Sequence, residues 1–333
     1  MPSLKPMLFD RKLLPKVWGG RALEQVMGMP LPAGEAIGET WELFDRPDGS
    51  SRIRGAGGTL ADVMRTNAEE LLGRGVAVGH GGRFPLLLKF IDARDALSVQ
   101  VHPDDEQARA ESDSGKDEAW LVLHAGPEAR MIRGFRPGVQ REQFSAVAHT
   151  QAVESLLWSF RPEVGDCVHV PPGTVHAIGP DVVVFEVQQN SDVTYRLYDW
   201  GRPREVHVQK AIAVTAIDDQ HSAAARPITV PRTLDDGGVE LITSRHFRLR
   251  RYQLQRPFTL LLNGTFATVT VLAGRGMLGW RSGGNDAPLP LAPGDTVLVP
   301  ASMESVFLSP IGRLDLAVAG PGIVSATART GSR

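Results

Sequence analysis

Gln100 and His102 in LSVQVHPDD, Glu118 in GKDEAW and His176 in GDCVHVPPGTVHAIG form a dispersed set of metal-ligand residue types. Imidazole, carboxylate and amide groups suit a zinc-like divalent ion. Three ligands of the His/His/Glu kind leave room for water or substrate, as a catalytic ion requires. Lys116 stands two residues before Glu118, so the strand period of two puts both on one face. An amine beside a dication releases its proton more readily, which suits a proton shuttle. Asp192 and Arg196, four apart in SDVTYR, share a face in the same way. Lys89 lies in the apolar run FPLLLKFID, where a charge needs a cavity or a partner. Glu42 alternates with Trp41 in ETWELF and is expected to line the pocket. His102 taken alone would read as an ordinary structural histidine; its company with Glu118 and His176 makes it a ligand. His169, between Val168 and Val170, has no ligand spacing to a partner and reads as structural. So do His80, His124, His149, His207, His221 and His246.

Strands must position these groups. Short runs rich in Val, Ile, Phe and Tyr, cut by 35 Gly and 24 Pro, predict strands over 84–92, 96–102, 118–124, 129–135, 166–170, 181–189 and 193–200. Two stretches read as helical insertions. Residues 59–73 open with a capping-box pattern from Thr59 to Asp62 and stop at Gly73. Residues 139–158 carry Phe144, Val147, Ala148, Val153, Leu156 and Leu157 at helical spacing. The acidic run HPDDEQARAESDSGKDE reads as a solvated helix and loop, placed to act as a flap. Near residue 222 the composition turns small and Pro-bearing, like a connector. Strand patterns then resume over 236–321, and 325–333 reads as a frayed tail. The division expected is therefore a catalytic unit over 1–222 and a second all-β unit over 236–321.

With 333 residues, 42% hydrophobic and 22% charged, the chain can bury a sizeable core. Its 36 basic and 38 acidic side chains leave a net charge of −2, which argues against broad nucleic-acid or anionic-membrane surfaces. A few local cations still suffice for a small phosphorylated substrate. The single Cys167 cannot pair within the chain, and no secretory signal pattern or membrane-length apolar run is present, so a cytoplasmic setting is expected. No feature of the sequence fixes an oligomeric state.

The segment Gly165-Asp166-Cys-Val-His-Val-Pro171-Pro-Gly173-Thr-Val-His176 resembles the second motif of the cupin superfamily, whose jelly rolls carry metal ligands on inner strands. Pro180 stands where that motif often ends in Asn. A related element, Gly294-Asp295-Thr-Val-Leu-Val-Pro300, has Ser302 and Ser305 at the Gly and His positions. The resemblance thus implies a mainly β protein of two cupin-like units with a few covering helices, the second unit lacking metal ligands.

Further motifs narrow the resemblance. VWGG (17–20), IGETWEL (37–43), PLLLKFIDARDALSVQVHPDD (85–105), GKDEAW (115–120), PPGTVHAIG (171–179) and QNSDVTYRLYDWGR (189–202) together resemble type I phosphomannose isomerase. The likeness is dense over about the first 210 residues. It implies one zinc ion per chain on Gln100, His102, Glu118 and His176. It also implies roles in ring opening for Asp192, in enediolate stabilisation for Arg196, and near the phosphate for Lys89 and Ser98. The family usually has Thr or Asn where this chain has Asp117, whose side chain is expected on the opposite strand face. The implied reaction interconverts mannose 6-phosphate and fructose 6-phosphate through a cis-enediol. The same ligands would also serve a cupin oxygenase holding iron, or a sugar-binding cupin without activity. Lys116, Lys89 and Arg196 favour an anionic substrate that needs no redox chemistry, and Lys116, Asp192 and Arg196 together weigh against a purely binding role.

Overall fold

The structure is a computed structural model describing residues 4–218, 221, 228–281 and 287–323. The 222–227 part of the expected connector and the expected tail at 325–333 lie outside the described residues. Beyond the connector, Ile228 bridges to Val168, and Arg232–Thr233 forms a short strand against Val239–Thr243.

Three large sheets make up the fold. The first orders its strands as Cys167–Val170, Glu118–Ala125, Val182–Gln189, Leu86–Ala93, Lys12–Gly20 and Ile37–Leu43. The second runs Leu157–Phe160, Met131–Phe135, His176–Ile178, Val99–Val101 and Tyr195–Tyr198. The third is built mainly from the C-terminal part, around the long strands Ala267–Trp280 and Ser305–Pro321. Met7–Leu8, from the other end of the chain, pairs with Thr296–Val299 at an edge of this third sheet.

The strand period of two decides what reaches the space between the first two sheets. Along Leu86–Ala93, Leu86, Leu88 and Phe90 point outward into a core shared with the helix Leu60–Leu72 and with Phe266 of the third sheet. Ile91 and Ala93 point inward with Trp120, Val122, Val182 and Val184, against Met131 and Ile178 of the facing sheet. Both faces are therefore covered, and the strands 86–93 and 182–189 are buried along their whole length instead of alternating. Covered faces explain why they read as near-continuous apolar runs. The inward phase carries Lys89, Glu118 and Glu186 from one sheet. It carries Gln100, His176 and Arg196 from the other, whose outward residues Val99, Val101, Ala177 and Leu197 form a separate apolar cluster.

The helix Leu60–Leu72 has the expected reciprocal cap between Thr59 and Asp62, stops at Gly73 and kinks at Asn67. The single helix expected over 139–158 is instead a helix at Arg141–Val147, a 3-10 turn at Gln151–Leu156 and the strand Leu157–Phe160. Thr150 is extended and breaks it. Phe144, Ala148, Val153 and Leu157 still reach one apolar cluster, which is why their spacing imitated one helical face. The acidic run forms a 3-10 turn at Gln107–Glu111 and is tied down on both flanks. Asp105 accepts from the Gly115 amide and the Gln189 side chain, and Arg46 donates to Asp113. Among the described residues no helix is long and apolar enough to cross a membrane.

Candidate metal centre and cleft

His176 reaches the inner space because of the turn before it. Thr174 N–H donates to Pro171 O at 3.2 Å, and Gly173 at the third position has φ +84°. That is the geometry of a type II turn, with proline second and glycine third. It reverses the chain so that the strand His176–Ile178 starts opposite Gln100, its register partner. The Gly294 element makes a similar turn, with Asp295 N–H donating to Ala292 O and φ +81° at Gly294. Nothing like a ligand follows it: the one group of three or more His, Cys, Asp or Glu ligand atoms among the described residues is His102, Glu118 and His176.

Those three are buried, and their ligand atoms lie within 4.8 Å of one another. His102 Nδ1 donates to Val193 O at 2.9 Å and His176 Nδ1 donates to Thr174 O at 2.8 Å. A carbonyl only accepts, so each Nδ1 holds the proton and each Nε2 presents a lone pair. Burial foremost, with Lys116 contributing, holds the His102 imidazole well below its usual range; burial also takes His176 down to about 3. Both rings are thus neutral at ordinary pH. Their Nε2 atoms face the Glu118 carboxylate at 3.5 and 3.3 Å, acceptor against acceptor. Neither Glu118 oxygen receives a hydrogen bond from the described residues. Lys116 lies beside Oε2, but Oε1, buried against His176, has no cation of its own, and a carboxylate so placed suits a divalent ion. The Gln100 amide reaches the same point, its Nε2 3.2 Å from His176 Nε2, and rotation of the amide exchanges its oxygen into that place. Two imidazoles, a carboxylate and an amide fit a divalent ion. Lys116, buried beside them, has Nζ 3.1 Å from Glu118 Oε2 and 3.2 Å from His102 Nε2.

Next to this centre opens a cavity of about 300 Å³ whose lining includes Lys116, Glu118, Asp192, Arg196 and Arg204. Asp192 is exposed at its rim, in the loop before the strand Tyr195–Tyr198 and not on the strand itself. Arg196 donates to Ser98 Oγ at 3.3 Å and to the Glu205 carbonyl at 2.6 Å. Lys89 and Ser98 both line the cavity, but from facing sheets, since the strands joined by DARDA do not pair.

Lys89 is 6% exposed and sits between Glu186 at 3.1 Å and Glu39 at 3.7 Å. Burial opposes its charge, yet Glu186 and Glu39 outweigh burial and raise its proton affinity above the usual lysine range. Burial likewise works against ionised Glu39, but Lys89 and Lys16 bring it down to about 2. Glu186 goes the other way, pushed up to about 7 by burial, with Glu118 adding to the effect against Lys89. Glu186, Glu39 and Arg204 line the cavity and had not been singled out from the sequence. Glu186 could have been, as the inward-phase acid in VVVFEVQQ.

Glu42 does not line the cavity. Its carboxylate accepts from Arg11 at 3.0 Å and from Thr40 at 2.7 Å, away from the cleft. Glu39 and Trp41 pair with Ile91 and Lys89 and take their inward phase, so the strand period of two puts Glu42 on the other face, beside Thr40. Asp117 does take the opposite face to Glu118, where its carboxylate holds His169 at 2.7 Å. His169 is therefore a structural partner, as its spacing suggested.

Comparison with known proteins agrees with this picture. A family model described as the type I phosphomannose isomerase catalytic domain matches residues 8–137. A mannose-6-phosphate isomerase of Streptococcus mutans is 32% identical over 286 residues, covering 82% of this chain and 87% of that protein. One from Bacillus subtilis is 31% identical over 312 residues, covering 90% and 94%. The crystal structure of a mannose 6-phosphate isomerase from Bacillus subtilis superposes with a TM-score of 0.83 at 28% identity, over 95% of this chain and 99% of that one. A phosphomannose isomerase of Salmonella typhimurium, 19% identical with a TM-score of 0.80, shares the fold over 96% of this chain.

Proposed function

The chain belongs to the type I phosphomannose isomerase family, and from that membership we propose that it interconverts mannose 6-phosphate and fructose 6-phosphate, with one zinc ion held by His102, Glu118, His176 and Gln100. The observation that carries this reading is the buried Glu118 carboxylate, without a hydrogen bond from the described residues and with Lys116 as the cation beside it, facing the Nε2 atoms of two neutral imidazoles. A cytoplasmic setting goes with the single buried thiol, and a small sugar phosphate is the only partner the reading requires.

The exchange moves a proton between C2 and C1 through a cis-enediol. A base takes the C2 proton, the electron pair forms C1=C2, and the C1 carbonyl oxygen gains a proton; C1 then takes up a proton while the O2 hydroxyl gives up its own and C2=O forms, which completes the ketose. When bound, the ion supplies Lewis-acid polarisation of a substrate oxygen. Asp192, at the rim, is placed to move the hydroxyl proton that opens the sugar ring. Lys116, buried at the cavity floor, is the proton carrier between the carbons. Arg196 offers a permanently charged planar fork to the negative charge that develops on the enediolate oxygens. Apolar walls from Trp18, Ile91 and Trp120 keep bulk water from the reacting carbons.

The test is a coupled assay of purified protein on mannose 6-phosphate, run before and after chelation, then with zinc restored, beside an oxygen electrode. Turnover lost on chelation and recovered with zinc, without oxygen uptake, is expected. Full turnover by metal-free protein would overturn the metal role, and oxygen uptake without isomerisation would overturn the reaction.

A further inference from the structure

This inference rests on the proposed isomerase reaction and concerns what holds Asp192 at the rim of the cleft. The Asp192 carboxylate accepts no hydrogen bond from the described residues, so its place is set through the backbone. Upstream, the buried Gln188 amide ties the loop to itself, donating to Gln189 O at 2.8 Å and to Ser191 O at 2.6 Å. Downstream, Val193 O accepts from His102. At Asp192 the backbone N–H donates to Asp113 Oδ2 at 3.4 Å, its one hydrogen bond among the described residues.

Asp113 is in turn gripped from its other side. Arg46 donates to both carboxylate oxygens, Nη1 reaching Oδ1 at 2.9 Å and Nη2 reaching Oδ2. The same Nη1 donates to Asn190 O at 2.6 Å, and the Ser114 N–H adds a bond to Asp113 Oδ1 at 2.9 Å. The two side chains are only 9% and 11% exposed. Burial opposes the Arg46 charge, yet Asp113, with Asp192 and Asp48 adding, raises its proton affinity above the usual arginine range. A two-pronged ion pair fixes orientation as well as distance. Arg46 comes from the short strand Asp45–Arg46, and Asp113 follows the 3-10 turn of the acidic run, so two distant segments meet at the Asp192 loop. The hairpin side is fixed as well: Asn190 Nδ2 donates to Asp45 O, and the Phe84 N–H donates to the Asp45 carboxylate at 3.0 Å. Neither Arg46 nor Asp113 lines the cleft; Asp113 instead lines a separate cavity of about 440 Å³ with Ser114 and Gln189.

We propose that Arg46 and Asp113 are positioning residues for proton transfer at Asp192. The guanidinium fixes the Asp113 carboxylate, which fixes the Asp192 amide and so the direction of the reactive carboxylate. The acidic run thereby serves as a strut under the site.

The experiment measures steady-state kinetics, zinc content and amide hydrogen exchange on the zinc-loaded full chain. The proteins are wild type, Asp113→Asn, Arg46→Met, Asp192→Asn and the double variant Asp113→Asn/Asp192→Asn. Asp113→Asn keeps the shape and one acceptor oxygen, so it tests the charge even if Arg46→Met fails to fold. Loss of the charge-assisted bonds should speed exchange in a peptide covering 189–193 about 10- to 100-fold, with the core strands unchanged. In Asp113→Asn and Arg46→Met, kcat for mannose 6-phosphate should fall about 10- to 100-fold, as for a misplaced catalytic group, with KM and zinc content little changed. Asp192→Asn should itself lower kcat by about 10²–10⁴-fold. Adding Asp113→Asn to it should then cost less than about threefold, because the effect runs through that carboxylate. A full further loss in the double variant, or kcat within about twofold of wild type in every Asp113 or Arg46 variant that folds, would overturn the proposal. So would a near-normal rate in Asp192→Asn. A wild type that leaves mannose 6-phosphate unconverted, while exchange at 189–193 responds as expected, would sink the functional reading and keep the hold on the loop. An active isomerase indifferent to both substitutions would do the reverse.

Discussion

Lys89 and Glu186 are register partners on neighbouring antiparallel strands, and their charged ends meet at 3.1 Å almost out of reach of solvent. Glu39 completes the arrangement at 3.7 Å. Removing the ammonium leaves Glu186 without its cation and Glu39 with Lys16 alone, and breaking a buried pair from one side costs about 3–5 kcal/mol. Lys89→Met should therefore lower the urea midpoint strongly, and adding Glu186→Gln should restore part of the loss. A single variant within about 1 kcal/mol of wild type would show that water reaches this pair freely.

The metal-free protein keeps Glu118 between two lone-pair-bearing imidazoles, so an ion that binds only the folded state should raise its stability. At a concentration of about 100 times Kd the gain is roughly 2.7 kcal/mol. Zinc added to chelated wild type should raise Tm by several degrees, and Glu118→Gln should lose most of that rise together with its metal content. An equal zinc-induced rise in both proteins would place the ion elsewhere.

Arg196→Ala removes a cleft cation but none of the metal donors. Loss of a preorganised donor to a developing oxyanion typically lowers kcat about 10²–10³-fold. Turnover should fall on that scale while metal analysis still gives one zinc per chain. Zinc lost from this variant, or a near-normal rate, would refute the role assigned to the arginine.

Glu39 is held at about 2 against a usual 4.5, because Lys89 and Lys16 outweigh the cost of burial. A depressed carboxylate contributes stability above its unfolded pKa and loses it as pH falls toward its folded pKa. Relative to Glu39→Gln, wild type should be more stable by up to about 3 kcal/mol at pH 7. That advantage should shrink between about pH 4.5 and pH 2. Denaturation curves of the two proteins at steps from pH 7 down to 3 measure it. A constant difference over that range would show that the charge on Glu39 contributes nothing.

Local signals carried much of this protein. The Thr59–Asp62 cap, the Pro-Gly turn before His176 and the apolar strands are written in neighbouring residues, and so are the three metal donors. What escaped depends on long-range register or on an irregular backbone. Glu42 was misplaced because the phase of its strand is fixed only by pairing with the distant strand Leu86–Ala93, which turns Glu39 and Trp41 inward and Glu42 away. The acids that compensate Lys89 were not legible because they lie far away along the chain and meet it only through strand pairing. The 139–158 stretch read as one helix because its apolar residues share a core, although Thr150 interrupts the backbone. Arg204 carried no local signal; its place in the cavity wall comes with its ion pair to buried Asp199.

Met7 and Leu8 stand in register with Leu298 and Val297, so the first strand among the described residues is a border strand of the last sheet. Severing the molecule near residue 222 would therefore not yield two independent halves. The C-terminal fragment would be left with the backbone groups of Thr296–Val299 bare along one side. Such an open rim recruits a second chain, which makes self-association the expected fate of that fragment when produced alone.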